Sequence, residues 1–281
     1  MKHNLFQPVF LVGCSRSGTT FLQSLLAAHP QITSVKETHF YQFMIPRKNE
    51  EYIRYKFQLV SCQLKPYLKQ YFEQEIKRPE LLQDFPYLPI MLWQNKAFLR
   101  AMQHLTQEQG NEIFLEKTPD HIYYLSYIEK LVPNAKFIHI IRSGKDVIAS
   151  LYEVTHKYPK PWGGARDIDT CIWNWLQAIQ TTQKYIDRSN HIIVGYQKLV
   201  ENPRSTLEKL CSFLELDFDK SMLSNYVKSA EYLTYEAGGR TVCSKIKNTI
   251  SPKFFTVFDE AQQEYILNKI NKINLESLKA I

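Results

Sequence analysis

The run Gly13-Cys14-Ser15-Arg16-Ser17-Gly18-Thr19-Thr20 combines two glycines, one cation and several hydroxyls in eight positions. Glycines let the backbone turn so that successive N–H groups converge, and a helix that follows adds its dipole. The chemistry such a loop offers is anion binding. In the nucleotide-binding version a Lys follows the second glycine and reaches the β and γ phosphates, with the next hydroxyl on Mg²⁺. Here Thr19 stands where that Lys would be, and Arg16 supplies the cation from inside the loop. Two more cations end apolar runs: Lys117 follows Glu112–Glu116, and Arg142 follows Ala135–Ile141. A nucleotide kinase would need a metal-holding Asp at such a strand end, and Arg142 occupies it. Arg16, Lys117 and Arg142 together suit an anion neutralised by protein cations rather than by a metal.

These residues need a scaffold that brings them together. Pro8–Gly13 is a buried-strand pattern, and from Thr19 the apolar positions Phe21, Leu22, Leu25 and Leu26 mark an amphipathic helix. That helix should end near His29-Pro30, because proline disfavours helix in the residue before it. Helical patterns follow over residues 49–76, with a break expected at Pro66, and over Asn95–Gln109, where Gly110 reads as a stop. Then come a strand at Glu112–Glu116, a helix opened by Thr118-Pro119, and a strand at Ala135–Ile141. Ser143 and Asp146 resemble a capping box for the next helix. A Pro/Gly loop leads to a helix over Ile168–Ile186, a strand at His191–Val194 ending at Gly195-Tyr196, and helices from Pro203, from Lys220 and over Asp259–Leu275. Strands separated by helices predict βαβ units and a parallel sheet, with ligands outside the strands' carboxyl ends.

Composition narrows the class. At 44% hydrophobic and 22% charged residues the chain is globular, not disordered. With few Gly and Pro to build linkers, a single domain over 1–281 is expected. Lys+Arg 35 against Asp+Glu 28 leaves +7, but the basic residues are dispersed rather than gathered on one helix, which argues against nucleic acid. A small polyanion would also favour a positive field. No apolar stretch approaches the ~20 residues of a membrane span. The five cysteines are scattered without CxxC spacing, so neither a disulfide framework nor a zinc site is expected. With no leader pattern at Met1–Pro8, a cytoplasmic location is expected.

The loop Gly13–Thr20, the Leu/Phe-rich helix after it and His29-Pro30 resemble the 5′-phosphosulfate loop of sulfotransferases. These enzymes use 3′-phosphoadenosine 5′-phosphosulfate (PAPS). Phe137–Ser150, with Arg142 at a strand end and Ser150 in the next helix, resembles the family's second signature. The likeness to protein-tyrosine sulfotransferases extends to Glu37-Thr38 and to Lys117 and Pro119. Residues 8 to 215 carry it.

The resemblance implies an α/β, P-loop-like three-layer fold with a central parallel β-sheet flanked by helices. It implies that Arg16 and the amides of Ser17, Gly18, Thr19 and Thr20 bind the 5′-phosphosulfate. Arg142 and Ser150 would hold the 3′-phosphate, and Tyr196 would contact the adenine. Glu37 matches the general base, and Lys117 a cation that steadies the departing or transferring group. For Arg16, Lys117 and Arg142 the residue chemistry points the same way. For Tyr196 a half-buried strand-end tyrosine is an equal alternative. Cytosolic members close an Arg-Lys-Gly run over the 3′-phosphate; here residues 238–247, with Arg240 and Ser244, form either an equivalent basic loop or a solvated one.

The expected activity is in-line sulfuryl transfer from PAPS to a hydroxyl or amine of a small-molecule, glycan or peptide acceptor, with no metal. Two alternatives stand beside it. A P-loop nucleotide-dependent kinase is weakened by Thr19, and a non-catalytic nucleotide-binding protein by Glu37 beside an intact loop. His39 and His121 compete with Glu37 as base, while His139 inside a strand reads as core. No motif names the acceptor or an oligomeric state.

Overall fold

The protein's structure, a computed structural model, describes residues 6–234 and 252–281. The basic loop at 238–247 lies outside them. Five parallel strands form one sheet: β1 (Gln7–Gly13), β2 (Ile32–Ser34), β3 (Ile113–Lys117), β4 (Lys136–Ile141) and β5 (His191–Gly195), in the order β2-β3-β1-β4-β5. The central strands read as continuous apolar runs because both faces of a parallel sheet are covered. Alternate side chains serve two cores. Phe10, Val12, Phe114 and Phe137 pack on one face, and Val9, Leu11, Leu115 and Ile138 on the other.

Helix α1 (Thr19–Ala27) follows β1 and packs on the second face. Between β2 and β3 lie α2 (Phe40–Met44), α3 (Tyr52–Lys56), α4 (Leu64–Gln70) and α5 (Met91–Glu108). The helix expected over 49–76 is interrupted at 57–63, not at Pro66. There the chain pairs with residues 89–91, through Val60 N–H to the Pro89 carbonyl (2.7 Å) and Met91 N–H to the Gln58 carbonyl (3.0 Å). Pro66 instead sits in the first turn of α4, where its missing N–H costs nothing.

After β3 the chain makes a 3₁₀ turn (Pro119–Tyr124) and α6 (Leu125–Leu131). After β4 come α7 (Gly144–Lys157) and α8 (Ile168–Gln183), and after β5 come α9 (Tyr196–Glu201), α10 (Pro203–Leu214), α11 (Ser221–Ser224) and α12 (Tyr226–Leu233). Helices α13 (Lys253–Val257) and α14 (Glu260–Ile270) complete the described chain. Ser143 makes no side-chain cap to α7, so the expected capping box does not form. Asp146 turns back to Arg142 instead, at 3.4 Å. No described helix is long and apolar enough to cross a membrane.

His139 does lie in the core, as its place in a strand predicts. Its Nδ1 meets Thr182 Oγ1 on α8 at 3.1 Å, and its Nε2 meets His191 Nδ1 on β5 at 2.9 Å. His191 Nε2 in turn lies 3.1 Å from Glu129 on α6, which also pairs with Arg188. Tyr185 stacks on His191 from the end of α8. Burial, with His191 nearby, pulls the His139 ring down to about 3. Burial pulls His191 down to about 4, against the opposing pull of Glu129. Both rings take up protons more readily unfolded, so their contribution is intact above about pH 6.5 and is lost progressively as pH falls toward 4. From pH 7 to pH 5 the two together should remove on the order of 4 kcal/mol of stability. Urea unfolding at the two pH values measures it, and the variant His139→Leu/His191→Phe should lose most of that difference; an unchanged difference would contradict the assignment.

Candidate active site

The sheet's register sets the site. Leu11 pairs with Lys117, Gly13 with Ile140, and Ile141 with Gly195. The loop after β1, Lys117 at the end of β3, Arg142 after β4 and Tyr196 after β5 therefore share one edge of the sheet. This is the crevice outside the strands' carboxyl ends where open α/β sheets bind ligands.

The loop is tightly built. Ser17 N–H bonds to the Cys14 carbonyl at 3.1 Å, and Arg16 between them is left-handed at φ 75. Such a conformation is costly for Arg and marks a segment held by its surroundings. Gly18 has φ 98, and a Cβ there would come 2.4 Å from a Tyr196 ring carbon. Only glycine fits. Gly18 offers no side-chain cap to α1, and no acidic residue occupies the helix's first turn. The N–H groups of the first turn and the helix dipole thus favour an anion at this end.

Arg16 is half-buried, and its Nε donates to Ser150 Oγ on α7 at 3.0 Å. The structure thus places the Ser150 hydroxyl on Arg16, tying the loop to α7. Arg142 lies with Asp146 on one side and over the Tyr196 ring on the other, 4.2 Å from its centroid. Tyr196 accordingly touches both the loop glycine and the Arg142 guanidinium, a cation–π contact that fixes the cation's plane. Beside them opens a cleft of about 490 Å³ lined by Arg142, Asp146, Tyr196, Lys198 and Lys279 among others. A larger hollow of about 680 Å³ between α7, α8 and α14 is lined by none of Arg16, Glu37, Lys117, Arg142 and Tyr196.

Glu37 and Lys117 meet on the other side of the loop. Both side chains are almost wholly buried, and Lys117 Nζ donates to Glu37 Oε1. The same ammonium reaches Thr20 Oγ1 at 3.3 Å, so β3, α1 and the segment after β2 converge on one cation. His39 Nε2 lies 3.3 Å from the other Glu37 oxygen, while its Nδ1 faces Gln42 Oε1 at 2.9 Å. Burial pulls the His39 ring down, but the hydrogen bond and charge of Glu37 outweigh it and raise the ring above its usual range. Glu37 is therefore flanked by the Lys117 ammonium and the His39 ring.

His121, the other rival base, is committed elsewhere. Its Nε2 accepts the Tyr41 backbone N–H at 3.3 Å, which leaves Nδ1 to carry the proton toward Glu116 Oε2 at 2.9 Å. The structure thus brings Thr20, Glu37 and Lys117 together on one side of the loop and Arg142 and Tyr196 on the other, with Arg16 inside the loop bonded to Ser150 of α7. Glu116 was not singled out in the sequence, and Asp146 was read only as a helix cap; its four-residue spacing from Arg142 was the available signal for their pairing.

A cation-lined loop of this kind, with a buried carboxylate beside it, suits transfer chemistry on an anionic donor. The chain belongs to the sulfotransferase family, whose family model matches residues 8–220. The kinase and scaffold alternatives are not favoured. A protein-tyrosine sulfotransferase of Drosophila melanogaster is 26% identical over 220 residues, which cover 76% of this chain and 39% of that protein. The chain thus spans well under half of that relative's length. The sulfotransferase domain from the curacin biosynthetic pathway superposes with a TM-score of 0.61 at 19% identity, over 94% of this chain and 96% of its own. A mouse sulfotransferase complexed with PAP gives 0.54 at 14% identity, over 97% and 88%. Both establish the fold expected from the sequence.

Proposed function

We propose that this sulfotransferase moves a sulfuryl group from PAPS to a hydroxyl or amine, with a peptide acceptor foremost. The observation that carries the reading is the gathering of Arg16, Lys117 and Arg142 around one loop, with the buried Glu37 on Lys117. The names of the relative and of the PAP-bound neighbour support the acceptor and the donor respectively. The same proposal keeps a cytoplasmic location, from the scattered spacing of the five cysteines.

The chain's own residues divide the work. Arg16 and the amides from Ser17 to Thr20 hold the phosphosulfate, Arg142 and Ser150 hold the 3′-phosphate, and Tyr196, which lies under the Arg142 guanidinium, contacts the adenine. Ser150 also bonds to Arg16, which ties the two subsites together. The acceptor oxygen or nitrogen bonds to sulfur as the bond from sulfur to the 5′-phosphate oxygen breaks, and Glu37 takes the acceptor's proton. Lys117 balances the charge that gathers on the departing phosphate. Positioning and preorganised charge supply most of the acceleration in such a site. These protein cations make a metal unnecessary in this scheme.

Two measurements test it. Transfer of labelled sulfuryl from PAPS to a tyrosine-bearing peptide should exceed transfer to simple phenols; the reverse order would shift the acceptor class. In calorimetry, adenosine 3′,5′-bisphosphate should bind far more tightly than ADP, with EDTA present. Hydrogen bonds to charged groups contribute about 1.5–3 kcal/mol each, so Arg142→Ala should lose on the order of 10-fold or more in affinity for the bisphosphate alone. Equal affinities for the two nucleotides would remove the sulfotransferase donor and reopen the kinase.

A further inference from the structure

We propose that Glu116 is a positioning residue of this enzyme, whose buried carboxylate clamps residues 38–41 to the end of β3 and so holds Glu37 opposite Lys117. The inference rests on Glu37 being the base. It starts from where the sheet stops. The β2–β3 pairing ends at Ser34 and Leu115, yet the next residues carry Glu37 and are buried. Their backbone polar groups must find other partners.

Side chains supply them. The Tyr71 hydroxyl donates to the Lys36 carbonyl at 2.9 Å, and the Tyr67 hydroxyl to the Thr38 carbonyl at 2.7 Å. The N–H groups are served by Glu116, directly or at one remove. Its Oε1 accepts from Thr38 Oγ1 (2.7 Å), from Thr118 Oγ1 (2.7 Å) and, at 3.4 Å, from Thr38 N–H. Thr118 Oγ1 in turn accepts from His39 N–H at 3.1 Å. Oε2 faces His121 Nδ1, and that ring's Nε2 accepts from Tyr41 N–H at the start of α2. One carboxylate thus fixes the chain at positions 38, 39 and 41.

The alternation of a strand explains why this controls Glu37. Glu116 and Lys117 are neighbours on β3 and point to opposite faces. Glu37 and Thr38 are likewise neighbours, and each meets one of them: Glu37 on Lys117, Thr38 on Glu116. The second contact sets the register of the first. His39, next in line, sits at φ 44, a left-handed conformation that a non-glycine residue keeps only where its surroundings enforce it. Burial pushes the Glu116 carboxyl up, but His121 and the hydroxyls of Thr118 and Thr38 outweigh it and hold it below the usual range. None of the partners of Glu116 belongs to the loop Gly13–Thr20.

The test is a double-mutant cycle with Glu37. Glu116→Gln keeps the shape but turns an amide N–H₂ toward either the hydroxyls or the His121 proton. Small misplacements of catalytic groups cost about 10²-fold. Glu116→Gln should therefore lower turnover about 10²-fold while the affinity for adenosine 3′,5′-bisphosphate stays as it was. In a Glu37→Gln background the same change should cost almost nothing, since groups acting as one unit are not additive. A loss of the same size in both backgrounds, or no loss in the wild type, overturns the proposal. Near wild-type turnover of Glu37→Gln alone overturns the base assignment first, and the single variant shows it before the cycle is closed. If Glu116→Gln does not fold, Thr38→Val removes one hydroxyl and keeps the volume. Its loss, about 10-fold, should show the same dependence on Glu37.

Discussion

Glu37→Gln should bind adenosine 3′,5′-bisphosphate normally and lose about 10²–10⁴-fold of its turnover with an alcohol or phenol acceptor. Gln keeps the hydrogen-bonding shape but cannot take the acceptor's proton. Donor binding should survive because its groups lie on the loop and on Arg142, across from Glu37. The rival reading makes Glu37 a plain salt-bridge partner of Lys117, and the contact itself fits either role. Turnover separates them. Near wild-type rates would end the base assignment. His39 would then be tested next, because its Nε2 is the ring nitrogen that faces the site. His121 would not, since both its nitrogens are engaged in holding the chain.

What could be read in advance was what local chemistry determines. Gly18 declared the turn, and the apolar run Phe137–Ile141 declared a strand covered on both faces. The basic ends Lys117 and Arg142 then followed from where those strands stop. β2 went unread as a strand because three residues, Ile32–Ser34, are too few for a period to show. Ser143 and Asp146 have the spacing of a capping box, but Arg142, four residues before Asp146, competed for the carboxylate and won. Glu116 looked like one more strand residue. Its partners lie on the segment after β2, on the 3₁₀ turn and in α2, and only the fold brings them together. Ser150 shows the same limit from the other side: its position in α7 was legible, but not that Arg16 would claim its hydroxyl.

The other large expected effect concerns stability and activity at one residue. Lys117→Met should destabilise the protein by about 3 kcal/mol or more at pH 7, because removing one partner of a buried pair strands the other charge. The Lys117 side chain is fully buried and that of Glu37 is 3% exposed, so water cannot take over the solvation. His39 softens the loss by staying on the second oxygen. Adding Glu37→Gln removes the stranded charge altogether, so Lys117→Met/Glu37→Gln should be more stable than Lys117→Met alone. Turnover should move the other way. Loss of a preorganised cation at the departing group costs about 10²–10³-fold, and the second substitution removes the base without restoring it. Stability would recover while activity does not. Urea unfolding at pH 7, with turnover measured on the same preparations, decides the matter. A double variant no more stable than Lys117→Met would mean that Glu37 is not a charge that Lys117 neutralises, and the pair would lose its place at the centre of the site.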